Sequence, residues 1–241
     1  MGNIGCVRSS ATTTLNVSGG TVLNNSTQGA DQGIEGENVA ITADGLNNAQ
    51  GAIRANQNVT ATVSGAVDNT NGLMSAGDTL KVADPNAANP CAKTLNVINT
   101  GGPLVADKSV ILDAATFSAD GILVSNKDLT VALMQDIVNN AEVVAHGNLS
   151  YGTTGNLTNN GKLLAGQTLN VNGNVVTNSA SGEMSGTNTT FNAGTLDNRG
   201  LIDSAGTTRI NAGGRRTWPR RAKRRRRRRN SASRPASAGS R

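Results

Sequence analysis

Apolar and polar residues alternate in short runs that recur roughly every 20 residues along the chain. The clearest unit is Leu157 to Val171, where an apolar-x-Asn step and a glycine precede an apolar run, a small residue and an alternating Leu-x-Val triplet. Strict alternation of this kind predicts β-strands with one buried face. Equivalent triplets begin at Leu15, Val39, Val59, Leu80, Val110, Leu129, Leu149, Leu169, Thr189 and Thr208.

A second landmark, the small residue that ends the apolar run, keeps the same period. It falls at Ala55, Ala76, Ala106, Ser125, Ala145, Ala165, Ser185 and Ala205. Two landmarks with one period indicate a sequence repeat. Units this short leave little room for a helix, and the Gly and Asn residues between runs suit tight turns. We therefore predict an all-β fold, a right-handed parallel β-helix of about ten 20-residue rungs spanning residues 11–212.

An asparagine follows the apolar-x step in most units. We assign this position to Asn25, Asn48, Asn69, Asn99, Asn140, Asn159, Asn178 and Asn198, with Ala119 in its place once. Stacked amides can hydrogen-bond from rung to rung, each donating and accepting along a column. Alternatively, asparagine is present only because it tolerates left-handed turn geometry. Both alternatives favour the same fold.

The period is interrupted once, because the step from Leu80 to Val110 is half as long again as the others. The extra residues lie at 83–94 and include Pro85 and Pro90, without alternation. Since proline cannot occupy the middle of a strand ladder, we predict an extruded loop. A loop on a rigid scaffold can carry binding, or it can be a passive insertion. If any part of this chain binds a ligand, we expect it to be this loop.

Composition and charge divide the chain into two parts. Residues 214–241 contain thirteen Lys and Arg and no acid, which leaves nine basic against 16 acidic residues in the body. Low-complexity sequence of one charge cannot pack, so we expect residues 213–241 to be a disordered tail. The body has few aromatic residues, so many thin apolar layers fit it better than one thick core. Those residues are Phe117, Tyr151 and Phe191 in the body and Trp218 in the tail.

Cys6 and Cys91 are the only cysteines, and neither lies in a metal-binding or redox motif. They form a disulfide in an oxidising compartment or remain two free thiols. The amino-terminal residues contain no apolar run of the length of a secretory signal, and no stretch approaches a membrane span. The sequence thus predicts either a cytoplasmic protein or a fragment whose export signal lies upstream.

The repeat at Leu157 to Val171 and its registered copies resemble the repeats of filamentous haemagglutinin and related large exoproteins of Gram-negative bacteria. That resemblance implies a β-helical shaft, secreted by a two-partner route through an outer-membrane transporter and displayed at the cell surface. It also implies an adhesive function toward receptors or glycans of host cells or other bacteria. The stalks of contact-dependent growth-inhibition toxins resemble the same repeat and are the alternative.

The chain departs from that family at both ends. Its export signal and amino-terminal secretion domain have no counterpart here, and no toxin-like domain follows the repeats. We therefore expect a fragment of a longer exoprotein, with residues 1–10 as its edge and the arginine-rich tail read in a shifted frame. The family also implies secretion or cell-surface display for the parent protein.

Catalytic chemistry is poorly represented in this sequence. His146 is the only histidine, and we expect it at a solvent-facing corner between Asn126 and Gly166 of the neighbouring rungs. Asp68 and Asp197 share one turn position, but five rungs lie between them, and Asp78 and Asp128 are also rungs apart. Neither pair meets the spacing that carboxylate catalysis requires. We predict no enzyme activity and nominate no catalytic, cofactor-binding or metal-binding residue.

The tail supports a third interpretation, a small β-solenoid with a basic arm that binds polyanions. Clustered arginines neutralise phosphates and give salt-dependent, sequence-blind binding to nucleic acid. Aromatic residues for base stacking are almost absent, because Trp218 is alone in the tail. The arginines are Arg215, Arg216, Arg220, Arg221, Arg224, Arg225, Arg226, Arg227, Arg228 and Arg229.

Overall fold

The chain forms a parallel β-solenoid of about ten turns, which confirms the predicted all-β parallel β-helix. A computed structural model describes residues 5–29, 31–118 and 120–213, together with the backbone of residues 216–217. Its 23 strands belong to one sheet, and every recorded strand pair is parallel. In the described residues the one helical segment is a 3₁₀ turn, Pro90–Ala92.

Each turn of the solenoid, which we call a rung, has three sides. Along the chain a rung begins on side III, continues on side I and ends on side II, and several strands extend over more than one side. Side III is formed by β1 (Cys6–Arg8), β5 (Leu73–Ala76), β8 (Leu104–Ala106), β11 (Leu123–Ser125), β14 (Glu142–Ala145), β17 (Lys162–Ala165), β19 (Glu183–Gly186) and β21 (Leu201–Ser204). Side I is formed by β6 (Thr79–Ala83), β9 (Ser109–Ala114), β12 (Asp128–Leu133), β15 (Leu149–Thr153) and β22 (Thr208–Ala212).

The remaining strands form side II or bend around a corner. Side II contains β7 (Asn96–Ile98), β10 (Thr116–Ser118), β13 (Ile137–Asn139), β16 (Leu157–Asn159) and β23 (Arg216–Thr217). Sides I and II are joined in β2 (Thr12–Leu23), β18 (Thr168–Asn178) and β20 (Asn188–Asn198), whereas β3 (Gly33–Asn47) and β4 (Ala52–Asp68) cover all three sides. Rung 1 is thus β1 with β2, and rung 10 is β21 to β23.

Alternation along each strand produces the core, because every second residue points inward onto its equivalent in the next rung. Leu129 pairs with Val110 below it and with Leu149 above it, and all three are at most 1% exposed. Such columns of aliphatic side chains fill the solenoid and bury apolar surface only between adjacent rungs. Stability is therefore distributed along the axis instead of concentrated in one centre.

The triplet landmark matches the register in nine of its ten copies and is wrong at Leu15. Thr13, not Leu15, pairs with Val39, while Leu15 pairs with Ile41. Thr13 fits the buried position because its Oγ1 donates a hydrogen bond of 2.7 Å to the carbonyl oxygen of Glu35. The prediction followed apolar identity and so missed a buried threonine whose hydroxyl is satisfied.

The small-residue landmark is also wrong in its last two copies. Ser185 pairs with Leu164, and Gly186 pairs with Ser204, so Gly186 and Ser204 continue the column where Ser185 and Ala205 were predicted. The corner that follows Asn178 is longer than the corner that follows Asn159. The connection between sides III and I of the same rung is shorter, which compensates for the longer corner. The repeat period therefore stays almost constant, although the residues of side III are displaced by one position.

Two runs of buried asparagines, Asn24 to Asn99 and Asn139 to Asn198, occupy the corner between sides II and III, which confirms the amide ladder over the simple turn. In each step Nδ2 of one asparagine donates to Oδ1 of the next, and its second hydrogen reaches a backbone carbonyl. The steps are Asn24–Asn48, Asn48–Asn69 and Asn69–Asn99 at 2.7 Å, then Asn139–Asn159 at 2.8 Å, Asn159–Asn178 at 2.9 Å and Asn178–Asn198 at 2.8 Å.

Two predicted members of this ladder are wrong by one residue. Asn24 and Asn139 are buried in the column, whereas Asn25 and Asn140 are exposed. Asn140 belongs to a separate exterior row, in which it accepts from Asn160 and donates to Asp120. Every second residue of a strand points inward. Val22 and Ile137 point inward, so Asn24 and Asn139, two residues later, do so as well, and the asparagine that follows each of them points outward. Ala119, the predicted substitute, lies outside the described residues.

Parallel pairing resumes beyond the end of the predicted repeat. Arg216 pairs with Leu196 and Thr217 with Asp197, so the backbone adds two residues to side II of rung 10. The rest of the predicted disordered tail lies outside the described residues.

The interior ladder contributes more to stability than the exterior row, and Asn159→Ala tests this. The substitution leaves one of the two Nδ2 hydrogens of Asn139 and Oδ1 of Asn178 buried without their ladder partner, so we expect a loss of about 2–4 kcal/mol in the free energy of unfolding. Asn160→Ala, one residue away in the exterior row, is the matched control and should cost less than about 0.5 kcal/mol. Urea unfolding measures both, and equal losses would contradict the interior ladder.

Tyr151 is the one residue of its column that introduces a polar group into the core. It is completely buried between Val131 and Val171, and its hydroxyl has no hydrogen-bond partner. Burial therefore raises the pKa of the Tyr151 phenol far above its ordinary value. Two rungs further along the same column, Phe191 is equally buried without a hydroxyl.

We expect Tyr151→Phe to stabilise the protein by about 1–2 kcal/mol, because it removes an unsatisfied hydroxyl without leaving a cavity. The reverse substitution at the equivalent position, Phe191→Tyr, should destabilise by a similar amount. Thermal and urea unfolding of both variants measure the two changes. A Tyr151→Phe protein less stable than the parent would show that the hydroxyl has a partner in solution.

Candidate functional site

The predicted loop leaves the solenoid between sides I and II of rung 4 and is anchored at its start by Asp84. This residue is 2% exposed, and its backbone N–H donates to the carbonyl oxygen of Asp113. Its carboxylate accepts from the backbone N–H of Asn86 at 2.7 Å and from those of Thr94 and Leu95. Asp84 thus joins the two ends of the loop to one another.

Burial alone would raise the pKa of Asp84. The three backbone N–H bonds and the nearby Lys93 outweigh that effect and hold its pKa below the ordinary value. The group is therefore ionised wherever the protein is folded at neutral pH. Its hydrogen bonds are charge-assisted, which makes them stronger than bonds between neutral groups.

Lys93 anchors the other end of the loop. Its side chain is 3% exposed, and Nζ donates to the carbonyl oxygen of Ala132 at 3.0 Å. The same Nζ lies 2.8 Å from Oδ1 of Asp113, an ion-pair contact without hydrogen-bond geometry at that oxygen. Because Asp113 and Ala132 are register partners on side I, one lysine connects the loop to rungs 5 and 6.

Between its anchors the loop forms an exposed turn. Asn89 caps the 3₁₀ segment by accepting from the backbone N–H of Cys91, and none of the residues Pro90–Ala92 is buried. Thr94 donates from Oγ1 to the carbonyl oxygen of Ser64 in rung 3. Cys6 and Cys91 are both exposed and are not bonded to one another. The loop is thus fixed at its ends and open to solvent at its tip.

A groove of about 220 Å³ separates the loop from the exterior of side I. Its floor consists of residues of rungs 1 to 3 near the end of side I, both inward and outward, and Pro85 contributes from the loop. The lining carries hydroxyl, amide and carboxylate groups, but most of its exposed surface is apolar. The lining residues are Asn16, Val17, Ser18, Thr42, Ala43, Asp44, Thr62, Ser64 and Pro85. Such a groove can contact a ligand through apolar surface and through hydrogen bonds. Within it the Ser64 hydroxyl donates to Oδ1 of Asp44 at 3.3 Å, and no histidine lies among the lining residues.

The sequence candidates for chemistry are not brought together. His146 is exposed at its corner, and its Nδ1 lies 3.2 Å from Oδ1 of Asn126 in the preceding rung. Asp68 and Asp197 are six register steps apart, about 29 Å at the usual strand spacing. Asp197 instead pairs with Arg199, and Asp68 accepts from the backbone N–H of Thr70.

The second carboxylate pair is also occupied by other partners. Asp78 contacts Nζ of Lys108 at 2.6 Å, whereas Asp128 accepts from the backbone and side chain of Asn148. In the part of the chain that the structure describes, no group of three or more His, Cys, Asp or Glu could hold a metal ion. Nor does any helix in that part have the length and apolar character to cross a membrane.

The arginines proposed for polyanion binding fall almost entirely outside the described residues. Arg216 is described as backbone alone, in β23. The loop anchors, in contrast, are residues of the candidate site that the sequence analysis did not identify. Asp84-Pro85-Asn86 is an Asx-turn signal and could have indicated the first anchor. Lys93 offers no such signal, because its partners lie one and two rungs further along the chain.

No protein-family model, curated protein or solved structure matches this chain.

Asp84→Asn tests the first anchor through its pH dependence. Because the folded-state pKa is lowered, its stabilisation is present above the unfolded pKa of about 3.9 and is lost as the pH falls through the folded value. We expect Asp84→Asn to cost about 1–3 kcal/mol at pH 7 and progressively less below about pH 4. Urea unfolding of both proteins across this range measures the difference. A difference independent of pH would contradict an ionised anchor.

Proposed function

We propose that this chain is a structural, non-enzymatic segment of the shaft of a bacterial adhesin, secreted or exposed at the cell surface. The observation that carries the proposal is the solenoid itself. Its inward columns and its amide ladder join each rung to its immediate neighbours, as in an extended spacer. Ten rungs at the usual strand spacing extend about 43 Å, and further rungs would lengthen the shaft without changing its cross-section.

The resemblance of the repeat to filamentous haemagglutinin supports the adhesive part of the proposal. On this interpretation the parent protein leaves the cell through an outer-membrane transporter of the two-partner route. Its partners are receptors or glycans on host cells or on other bacteria. The chain contributes the rigid scaffold and one surface feature, the loop at 83–94.

The loop is suited to presentation because its ends are fixed and its tip is exposed. Asp84 and Lys93 are buried and bonded to residues of the solenoid, whereas Pro85 and Asn86 are exposed. Rigid anchors reduce the conformational entropy that a binding loop loses when it meets a partner. We therefore propose that any receptor contact of this segment is made at the loop and its groove.

Adhesion of coated beads tests this proposal. Beads carrying the full chain should bind epithelial or bacterial cells more strongly than beads carrying an unrelated protein of similar charge. Scrambling residues 85–92, with Asp84, Lys93 and Thr94 kept, should remove most of that excess, because the anchors survive but the presented surface does not. Asn170→Ala, an outward change on side I, is the control and should leave adhesion unchanged.

Either of two results would reject part of this proposal. Beads with the parent chain that bind no better than the unrelated protein would contradict an adhesive function. Full adhesion after scrambling would exclude the loop as the contact. Release of reducing or unsaturated ends from a panel of acidic and neutral glycans would instead indicate an enzyme.

A further inference from the structure

Side III carries a row of aliphatic side chains on its outer surface. Val105, Val124, Val144 and Leu164 occupy one register position in rungs 5 to 8, where each pairs with the next. We call these four residues the apolar stripe. Three steps at the usual strand spacing give it a length of about 14 Å.

The apolar stripe is not part of the core. Its four residues are half-buried and lie outside the cluster of core residues and the hydrophobic residues packed against it. Beside the stripe, Ile122 is 52% exposed. On side I of rungs 5 to 8, one equivalent outward position holds Ile111, Thr130, Ser150 and Asn170. Three of these four residues are polar. Contiguous apolar surface rimmed by polar residues can mark an interaction site, and the exposed Glu142 and Lys162 lie beside the stripe in rungs 7 and 8.

Polar and charged residues continue the stripe symmetrically at both ends. Ser75 in rung 4 and Ser185 in rung 9 flank it at the same register position. Beyond them lie Arg54 in rung 3 and Asp203 in rung 10. From rung 3 to rung 10 the outer row therefore reads Arg, Ser, four aliphatic residues, Ser, Asp, and reversed it is the same row with the charges exchanged. In rungs 1 and 2 the row continues as Arg8 and Glu35, which lie outside the span that two antiparallel copies share.

We propose that this face binds the same face of a second copy of the chain, with the two solenoids antiparallel. A two-fold axis parallel to the strands, between rungs 6 and 7, places Val124 against Val144 and Val105 against Leu164. The two serines then face one another, and Arg54 of each copy faces Asp203 of the other. A parallel arrangement with like rungs in register would instead oppose Arg54 to Arg54 and Asp203 to Asp203, which like-charge repulsion disfavours.

The charged ends of the row are accessible for this pairing. Asp203 is exposed on β21. Arg54 bonds the carbonyl oxygen of Gln32 and Oε1 of Glu35, and both bonds use Nη1. The face is also unobstructed, because the loop at 83–94 contacts Ser64, Asp113 and Ala132 at another corner.

The area of this face predicts a weak dimer. Rungs 3 to 10 span about 34 Å, and a strand of three or four residues is about 10–13 Å wide. Two such faces would together bury on the order of 1,000 Å², at the lower limit for a specific interface. We therefore expect an equilibrium between monomer and dimer that depends on concentration. Such a contact would pair two shafts side by side.

Stoichiometry distinguishes this contact from association through the open ends of the solenoid. A two-fold face contact uses the same surface on both copies and closes at two. Contacts between an upper and a lower strand edge join unlike surfaces and give an open series of oligomers. The two modes also involve different residues, since the apolar stripe lies in the middle rungs.

Sedimentation equilibrium of the full chain over a wide concentration range tests the proposal, with Val124→Glu as the principal variant. We expect a monomer–dimer equilibrium for the parent. Val124→Glu should weaken it roughly tenfold or more, because the carboxylate would be desolvated against Val144 of the other copy. Thr130→Glu, an outward change on side I of the same rung, should leave it unchanged. Circular dichroism checks that both variants fold.

A charge exchange tests the antiparallel register. Asp203→Arg alone should weaken the dimer, since the new side chain would face Arg54. Combining it with Arg54→Asp should restore the dimer, because opposite charges again meet in both places. A parent that remains monomeric, an open series of oligomers, a dimer insensitive to Val124→Glu, or a double variant no tighter than Asp203→Arg would each overturn the proposal.

Discussion

Parallel stacking of one rung on the next is the constraint on which the rest of this structure depends. Every inward side chain must match the shape of the residue about 4.8 Å above and below it, because its contacts are limited to the adjacent rungs and to the other sides of its own rung. This explains why the core consists of small aliphatic residues and why large aromatic residues are rare. It also explains why an asparagine at a corner is stable only as a member of a row, where each amide satisfies the next.

The same constraint determines how much could be predicted from the sequence. Alternation and a constant short period were sufficient for the fold, since strands of this kind have few other ways to bury one face. Register required more. Thr13 replaced Leu15 in a column because a local backbone acceptor satisfied its hydroxyl. Asn24 and Asn139 lie inward because inward and outward positions alternate along a strand. The position of asparagines in the sequence does not by itself show which of two adjacent asparagines points inward. The lengths of the corners vary while the repeat period stays constant. A prediction from the period alone therefore chose Ser185 and could not detect that Gly186 is the residue in the column.

The candidate site was predictable as a loop but not as an arrangement of side chains. Two prolines and the loss of alternation located residues 83–94 outside the ladder. The partners that fix this loop come from rungs 3, 5 and 6, and only stacking brings Asp113 and Ala132 to Lys93. Outward rows such as the apolar stripe are equally hidden in the sequence, because a whole rung of chain separates each member from the next. A solenoid converts such distant residues into neighbours on one surface.

The interior amide ladder also gives the solenoid a chemical direction. In all six steps Nδ2 belongs to the earlier rung and Oδ1 to the later one, so the amide dipoles are aligned along the axis and polarise one another. Asn198 is the last amide of the column, and a further rung would continue the ladder only by supplying an amide oxygen to it. The two ends of the ladder are thus chemically unequal, and a rung that extends the carboxy-terminal end must turn its amide the same way as all the others.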